Sequence, residues 1–421
     1  MTKILVVSND GVPDGYGRIS MSLNTHLVKR GIQVFAVSLA YDGLLPPMYD
    51  GQPLPYWVGS MGGHPNWIEQ AAAVINSIQP DIVVVIQDFP YLESVRNLPL
   101  DWSRMKFIGI TPVDGFPIWK NWITTAKKAD AMMTISQFGV DAFRKSGVEV
   151  GLCQPGIDPD TFFPLAETRR AELRAKLNIA PDAFVLGVMC QHQGRKSIPQ
   201  MMKAFFDFAQ GRPTARLLLD MDRVSSAGWD IETMICAPNG WDTSQIIWRD
   251  QCVLAGITSL NDRYNMLDAH AVLAFREGWG LPLVEAMATG VVSIAQDYCS
   301  GTEIVGDNKG ILIPSVDYFM PSTWGGAMDM LPDYRVMTQK LQWLCDNPEE
   351  RKAMAKRGME WARKQLWSVS VDNVATTIER VLSGRRGENV VQLPQVMTPT
   401  AIVNPSPDGV VKDVQLVEVI S

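Results

Sequence analysis

Two glutamates, Glu277 and Glu285, stand eight positions apart in the string Phe275-Arg276-Glu277-Gly278-Trp279-Gly280-Leu281-Pro282-Leu283-Val284-Glu285-Ala286-Met287-Ala288-Thr289-Gly290. The run before them, Ala271–Phe275, is continuously apolar, as a strand buried on both faces requires. This predicts Glu277 at the carboxyl end of that strand. Gly278 and Gly280 let the backbone turn and approach a ligand, Pro282 suits the first helical position, and Gly290 suits the residue just past a helix. Glu285 then falls in or just after the first helical turn. A helix amino terminus beyond the carboxyl end of a parallel strand favours phosphate. Carboxylates among such amides are best used on hydroxyls, so the pattern points to sugar or ribose hydroxyls beside a phosphate. A single Glu there would read only as an acidic residue that favours the helix dipole.

Three further segments carry candidate chemistry. Gln191-His192-Gln193-Gly194-Arg195-Lys196-Ser197 follows a strand and precedes a helix, with Ser197 as the expected N-cap. Its two cations, Arg195 and Lys196, suit a leaving diphosphate; a solvated basic loop is the alternative. The glycine-rich loop Asn9–Arg18 follows the first strand and is of a type that cradles phosphate. It matches neither the dinucleotide nor the P-loop pattern, and a plain strand-to-helix turn remains open. Gly109–Pro117 ends a strand with Asp114, which reads either as a sugar contact or as a turn aspartate. The pair Asp220-Met221-Asp222 has the spacing of a divalent-cation site, but such short pairs arise often by chance. The four histidines form no metal-spaced group, and His192 is expected to be a solvated loop residue.

The string from Phe275 to Gly290 resembles the Glu-x7-Glu motif of retaining glycosyltransferases of family 4. That resemblance implies the two-domain GT-B fold, a nucleotide-diphosphate sugar as donor substrate, and no cofactor or essential metal. It implies that Glu277 lies beside the donor sugar, that Glu285 holds the ribose, and that amides near Gly278, Gly280 and Leu281 meet the diphosphate. The family's diphosphate lysine matches Lys196, with Arg195 in support, although the further arginine of some members is replaced here by Gln191 or Cys190. Its Gly-Gly loop matches best at Gly17, and its His-Asp pair matches only at Asp114, since Val113 stands in place of the histidine. Gly156–Pro164 resembles the linker that closes the family's first domain, and the last helix is expected to cross back to that domain.

These residues need a scaffold. At 421 residues the chain exceeds a single core. Strands over Lys3–Ser8, Gln33–Leu39, Asp81–Gln87, Phe107–Pro112 and Ala131–Ile135 alternate with helices over Arg18–Arg30, Asn66–Ile78 and Phe138–Ser146. A second alternating series places strands at Phe184–Cys190, Ala215–Met221, Gln251–Leu254, Ala271–Phe275 and Val291–Ala295, and helices near Ile198–Gln210, Asp262–Ala269, Pro348–Gln365 and Ser368–Ser383. The pattern is α/β, with two Rossmann-like doubly wound domains and a cleft between them. The expected division is an acceptor-side domain over 1–165, a donor-binding domain over 166–383, and a mobile or partner-binding tail over 384–421.

Hydrophobic residues make up 46% and charged residues 20%, and the net charge is −7, an ordinary globular balance that argues against coating nucleic acid or a polybasic membrane role. No apolar run nears the ~20 residues of a membrane span, and the opening segment is too short for a signal peptide. The six cysteines lack metal-ligand spacing and read as reduced thiols. Cytoplasmic location is the expectation, with peripheral membrane contact left open. The expected activity is transfer of a sugar, hexosyltransferase-like, from nucleotide to an acceptor that is a glycan, a lipid-linked group, a protein or a modified nucleic-acid base. A GT-B epimerase or phosphorylase, or a non-catalytic scaffold binding nucleotide sugar, are the alternatives. Acceptor recognition is expected in the long loop Tyr41–His64, while Trp57, Trp67 and Trp119 are expected to pack.

Overall fold

The computed structural model describes residues 2–12, 14–41, 43, 48–49, 52–53, 56–60, 66–320 and 327–384. Most of the Tyr41–His64 loop, with the Trp57 side chain, and the tail beyond Gly384 lie outside the described residues.

The first sheet contains β1 (Lys3–Ser8), β2 (Gln33–Ser38), β3 (Trp57–Ser60), β4 (Ile82–Ile86), β5 (Lys106–Thr111), β6 (Ala131–Thr134) and β7 (Gly151–Leu152), ordered β3-β2-β1-β4-β5-β6-β7. All its pairings are parallel. Along β1, Ile4 and Val6 enter one apolar core while Leu5 and Val7 enter another. Both sheet faces are therefore covered, which is why the strand sequences are continuous apolar runs. Helices α1 (Gly15–Lys29), α2 (Trp67–Ile78), α3 (Phe89–Arg96), α4 (Lys120–Lys128) and α5 (Gln137–Lys145) accompany this sheet. Gly31 and Gly147, just past α1 and α5, have φ of 80° and 73°, a conformation glycine adopts without strain.

After α6 (Glu167–Lys176), the second sheet contains β8 (Val185–Val188), β9 (Arg216–Leu219), β10 (Ile246–Trp248), β11 (Ala269–Val272), β12 (Val292–Gln296) and β13 (Ile311–Ile313), in the order β10-β9-β8-β11-β12-β13. It too is parallel. Its helices include α7 (Ile198–Ala209), α8 (Arg249–Leu254), α9 (Leu260–Asn265), α10 (Leu281–Ala288) and α11 (Ser300–Val305), followed by α12 (Tyr334–Asp346), α13 (Pro348–Ala362) and α14 (Trp367–Leu382). An antiparallel hairpin, β14 (Ser315–Phe319) with β15 (Asp329–Pro332), precedes α12.

One expected strand is a helix. Gln251–Leu254 belongs to α8, and the strand is Ile246–Trp248 immediately before it. Gln251 Oε1 accepts the Trp248 backbone N–H at 2.9 Å, closing the helix start. Only Cys252 of that segment is buried; Leu254 is 87% exposed, so its apolar letters do not mark a sheet core. Helices α3, α4, α6, α11 and α12 were also not expected.

The segment Gly156–Pro164 runs against the second sheet's helices: Ile157 N donates to Gln365 O at 2.7 Å and Phe163 N to Asn261 Oδ1 at 3.0 Å. From there α14 returns to the first sheet. Its Val371, Val374 and Ile378 share a core with Ile19, Leu23 and Leu27 of α1, and Asn373 Nδ2 donates to Leu152 O at 3.1 Å. This crossing joins the two halves behind the cleft. Among the described residues no helix is long and apolar enough to cross a membrane.

Candidate active site

The loop between β11 and α10 carries Glu277. Strand pairing stops at Val272, so Glu277 stands on the loop beyond the strand rather than at its paired end. Gly280 has φ of 105° and occupies the N-cap of α10, where no side chain caps the helix. At Gly278, a Cβ would lie 2.6 Å from Pro112 Cβ of the first domain; glycine is required there because the two domains touch. Ser300 Oγ donates to Glu277 O at 3.0 Å and Trp279 O at 2.5 Å, fastening the loop to α11. Pro282 lies one residue inside the helix start, after Leu281. Glu285 falls just after the first turn, and Gly290, with φ of 80°, lies just past the end.

Arg195 and Lys196 form a 3₁₀ turn, Gly194–Lys196, after β8. Phe275 N donates to Arg195 O at 2.8 Å, and Arg195 Nη1 donates to Arg276 O at 2.9 Å. These bonds stitch the turn to the Glu277 loop. Lys196 Nζ makes a short ion pair with Glu277 Oε2, and Arg195 Nη1 lies 3.6 Å from the same oxygen. Burial alone would raise the Glu277 carboxyl; the two cations outweigh it and hold the group below the usual glutamate range. Both expected diphosphate cations are therefore paired with the expected sugar carboxylate. Ser197 does occupy the N-cap of α7, but with φ of 51° and its buried hydroxyl unbonded. The capping bond expected of it is absent.

Glu285 is 1% exposed. Tyr264, fully buried on α9, donates its hydroxyl to Glu285 Oε2 at 2.8 Å. Arg18 of α1 makes a short ion pair with Oε1, so a first-domain cation reaches across the cleft. A cavity of about 10 Å³ adjoins Glu277, Leu283 and Tyr298. It has room for roughly one water.

The first domain supplies the opposite wall. Asp14 caps α1 by accepting Gly17 N at 2.7 Å, and Asn9 Nδ2 donates to Asp14 at 2.8 Å. A Cβ on Gly17 would lie 2.1 Å from Val12 O. Close packing within its own loop thus explains Gly17, and its amide is already bonded rather than open to a phosphate. Asp10, fully buried, accepts from Ser20 and from Asn24 Nδ2 at 3.0 Å; burial pushes its carboxyl up to about 6. Tyr16 donates its hydroxyl to Asp88 at 2.5 Å. Sequence reasoning did not single out Tyr16 or Asp88, although Asp88 follows the end of β4 as Asp114 follows β5. Asp114 lies 3.9 Å from Arg276 Nη1, and Arg276 also forms a short ion pair with Asp329 of the hairpin. Glu303 of α11 accepts Phe138 N at 3.0 Å and Gln137 N at 3.3 Å from the start of α5, a further contact between the domains.

Several candidates resolve into supports. Asp220 pairs with Arg263 at 2.6 Å, and Asp222 pairs separately with Arg249. Among the described residues no three His, Cys, Asp or Glu side chains are grouped to hold a metal ion. His192 is buried, not solvated: Nδ1 bonds to Asp222 O at 2.8 Å and Nε2 accepts Trp229 N at 3.0 Å. Trp67 packs against Tyr91, while Trp119 stays 50% exposed beside Trp122.

Residues 246–318 match the family described as glycosyl transferases group 1. D-inositol 3-phosphate glycosyltransferases of Segniliparus rotundus and Corynebacterium kroppenstedtii are 23% identical over 239 residues and 24% identical over 246 residues. Each alignment covers 56% of this chain and 48% or 49% of the relative, so the chain spans about half the length of the curated relatives it matches. The structure is similar to sucrose-phosphate synthase of Thermosynechococcus elongatus at 16% identity, over 91% of this chain and 100% of that one, with a TM-score of 0.69. It is similar also to Anabaena HepE in complex with UDP and glucose, at 14% identity over 90% and 100% of the two chains, TM-score 0.65. The fold is that of the GT-B glycosyltransferases, two parallel-sheet Rossmann-like domains facing a cleft.

Proposed function

We propose that this chain is a glycosyltransferase of the family 4 type, moving a sugar from a nucleotide-diphosphate sugar to an acceptor with retention of configuration and without a metal. The observation that carries the reading is the Lys196–Glu277–Arg195 group beside the amino terminus of α10, which no side chain caps. It sets fixed positive charge and a helix amino terminus next to one carboxylate, and Glu277 and α10 lie in the segment matched to glycosyl transferases group 1.

In this reading the donor's diphosphate lies over the α10 terminus at Gly280 and Leu281, with Lys196 and Arg195 shared between phosphate and Glu277. Cleavage of the bond between anomeric carbon and phosphate oxygen moves negative charge onto the phosphate. Preorganised donors aimed at such developing charge are worth ~3–4 kcal/mol each. Glu277 steadies the positively charged sugar ring. The acceptor hydroxyl adds from the face the phosphate leaves, and its proton passes to the departing phosphate oxygen, so no side-chain base is required. Glu285 anchors the ribose, and Asp114 offers an acceptor or sugar contact from the first domain. Residues 1–165 form the acceptor side and 166–383 the donor side. The Anabaena protein's bound UDP makes a uridine nucleotide the first donor to try.

Thermal shift against a panel of nucleoside diphosphates and nucleotide sugars, followed by mass spectrometry with candidate acceptors, tests the proposal. The expected result is one stabilising nucleotide sugar and an acceptor heavier by one sugar residue. Sugar change without an acceptor would indicate an epimerase, and dependence on free phosphate a phosphorylase.

A further inference from the structure

We infer that Arg18 sets the affinity of the nucleotide site by competing with the ribose for Glu285. The inference rests on the reading of Glu285 as ribose anchor, and it adds a positioning residue from the opposite domain.

The two oxygens of Glu285 are held differently. Oε2 receives a directed hydrogen bond from Tyr264 within the second domain. Oε1 is buried and takes its counter-charge from Arg18 across the cleft. A buried ionised carboxylate needs either a counter-charge or hydrogen-bond donors. Arg18 supplies the first and ribose hydroxyls supply the second, and in the inferred exchange the ribose takes the guanidinium's place at Oε1. Of the two partners Arg18 is the more exposed. It keeps 38% exposure, and its guanidinium lies 5.8 Å from the Phe162 ring centre, so an aromatic face and solvent are at hand when the ion pair opens. Tyr264 is fully buried.

The exchange has a consequence for both domains. Nucleotide entry removes an ion pair that joins α1 to α10 and frees a first-domain cation at the cleft wall. The apparent affinity is then the intrinsic one reduced by the fraction of molecules in which Arg18 has let go.

Calorimetric titration of UDP, GDP, ADP and dTDP into the full chain tests this, with wild type, R18M, R18K, E285Q and R18M/E285Q. R18M keeps the aliphatic stem on a partly exposed helix face. It is expected to bind its best nucleoside diphosphate about tenfold tighter than wild type, as for a competent fraction near one tenth. R18K, which restores the charge, should move back toward wild type. In the E285Q background R18M should change affinity less than about twofold, because the effect runs through that carboxylate. Unchanged or weaker binding by R18M overturns the inference, and weaker binding would make Arg18 a phosphate ligand instead. An equal gain with and without Glu285 also overturns it. If E285Q loses nucleotide while R18M is indifferent, the ribose-anchor reading stands and the competition falls; if none of these proteins binds any nucleoside diphosphate, both fall.

Discussion

The two glutamates of the Glu277–Glu285 loop and helix are built on different plans. Glu277 meets both of its cations within the second domain, on turns that are hydrogen-bonded to each other. Glu285 meets a tyrosine of its own domain but takes its cation from the other one. The first is held together by contacts within one domain; the second depends on a contact between the two. Chemistry placed on the first and recognition on the second would let the cleft open and close without dismantling the reacting centre.

The largest effect should come from breaking the first plan. Lys196→Met is expected to lower turnover ~10²–10³ fold, with an unchanged circular dichroism spectrum. Normal turnover would remove Lys196 from the reaction. Glu285→Ala should instead act on binding, weakening nucleotide by ~2–3 kcal/mol in calorimetry through lost charge-assisted bonds, and affinity equal to wild type would end its role as anchor.

A third carboxylate separates the plans by pH. Burial pushes the Glu303 carboxyl from 4.5 up to about 7, against the pull of the Phe138 and Gln137 amides. The folded chain binds that proton more tightly than the unfolded chain, so the stabilisation is complete below pH 4.5 and is lost as pH rises through 7. Wild type should lose ~1–2 kcal/mol between pH 5 and 8 that Glu303→Gln does not lose, read as melting temperature against pH; parallel curves would dismiss Glu303 as a titrating contact. Glu277, held below its usual range, has the opposite sign and contributes only to acid unfolding. The smallest change is Tyr264→Phe, expected to cost ~1 kcal/mol in denaturant unfolding for one lost hydrogen bond to Glu285.

What the sequence made legible follows the same division. The β11-to-α10 corner could be read because its glycines, proline and apolar run act within sixteen residues. Buried parallel strands were legible for a similar reason, since covering on two faces forces unbroken apolar runs. Partners chosen across the fold were not. Nothing near Arg18 marks it for Glu285, and nothing near Asp88 marks it for Tyr16, because those pairs exist only after two sheets are set face to face. Residues 251–254 misled by composition: Cys, Val and Leu suit a strand, but capping by Gln251 and the prior claim of Ile246–Trp248 on the sheet edge make them a helix. Gly17 was given a ligand's reason where packing against Val12 and Asn9 suffices.

Transfer with retention can be measured without an acceptor, because a glycosyltransferase holding its donor transfers sugar slowly to water. Proton NMR of the chain with the nucleotide sugar that stabilises it should show free sugar and nucleoside diphosphate accumulating. The first-formed sugar is expected to keep the donor's anomeric configuration, and Lys196→Met is expected to abolish its release. An inverted sugar, or release that ignores the Lys196 substitution, would contradict the proposed reaction.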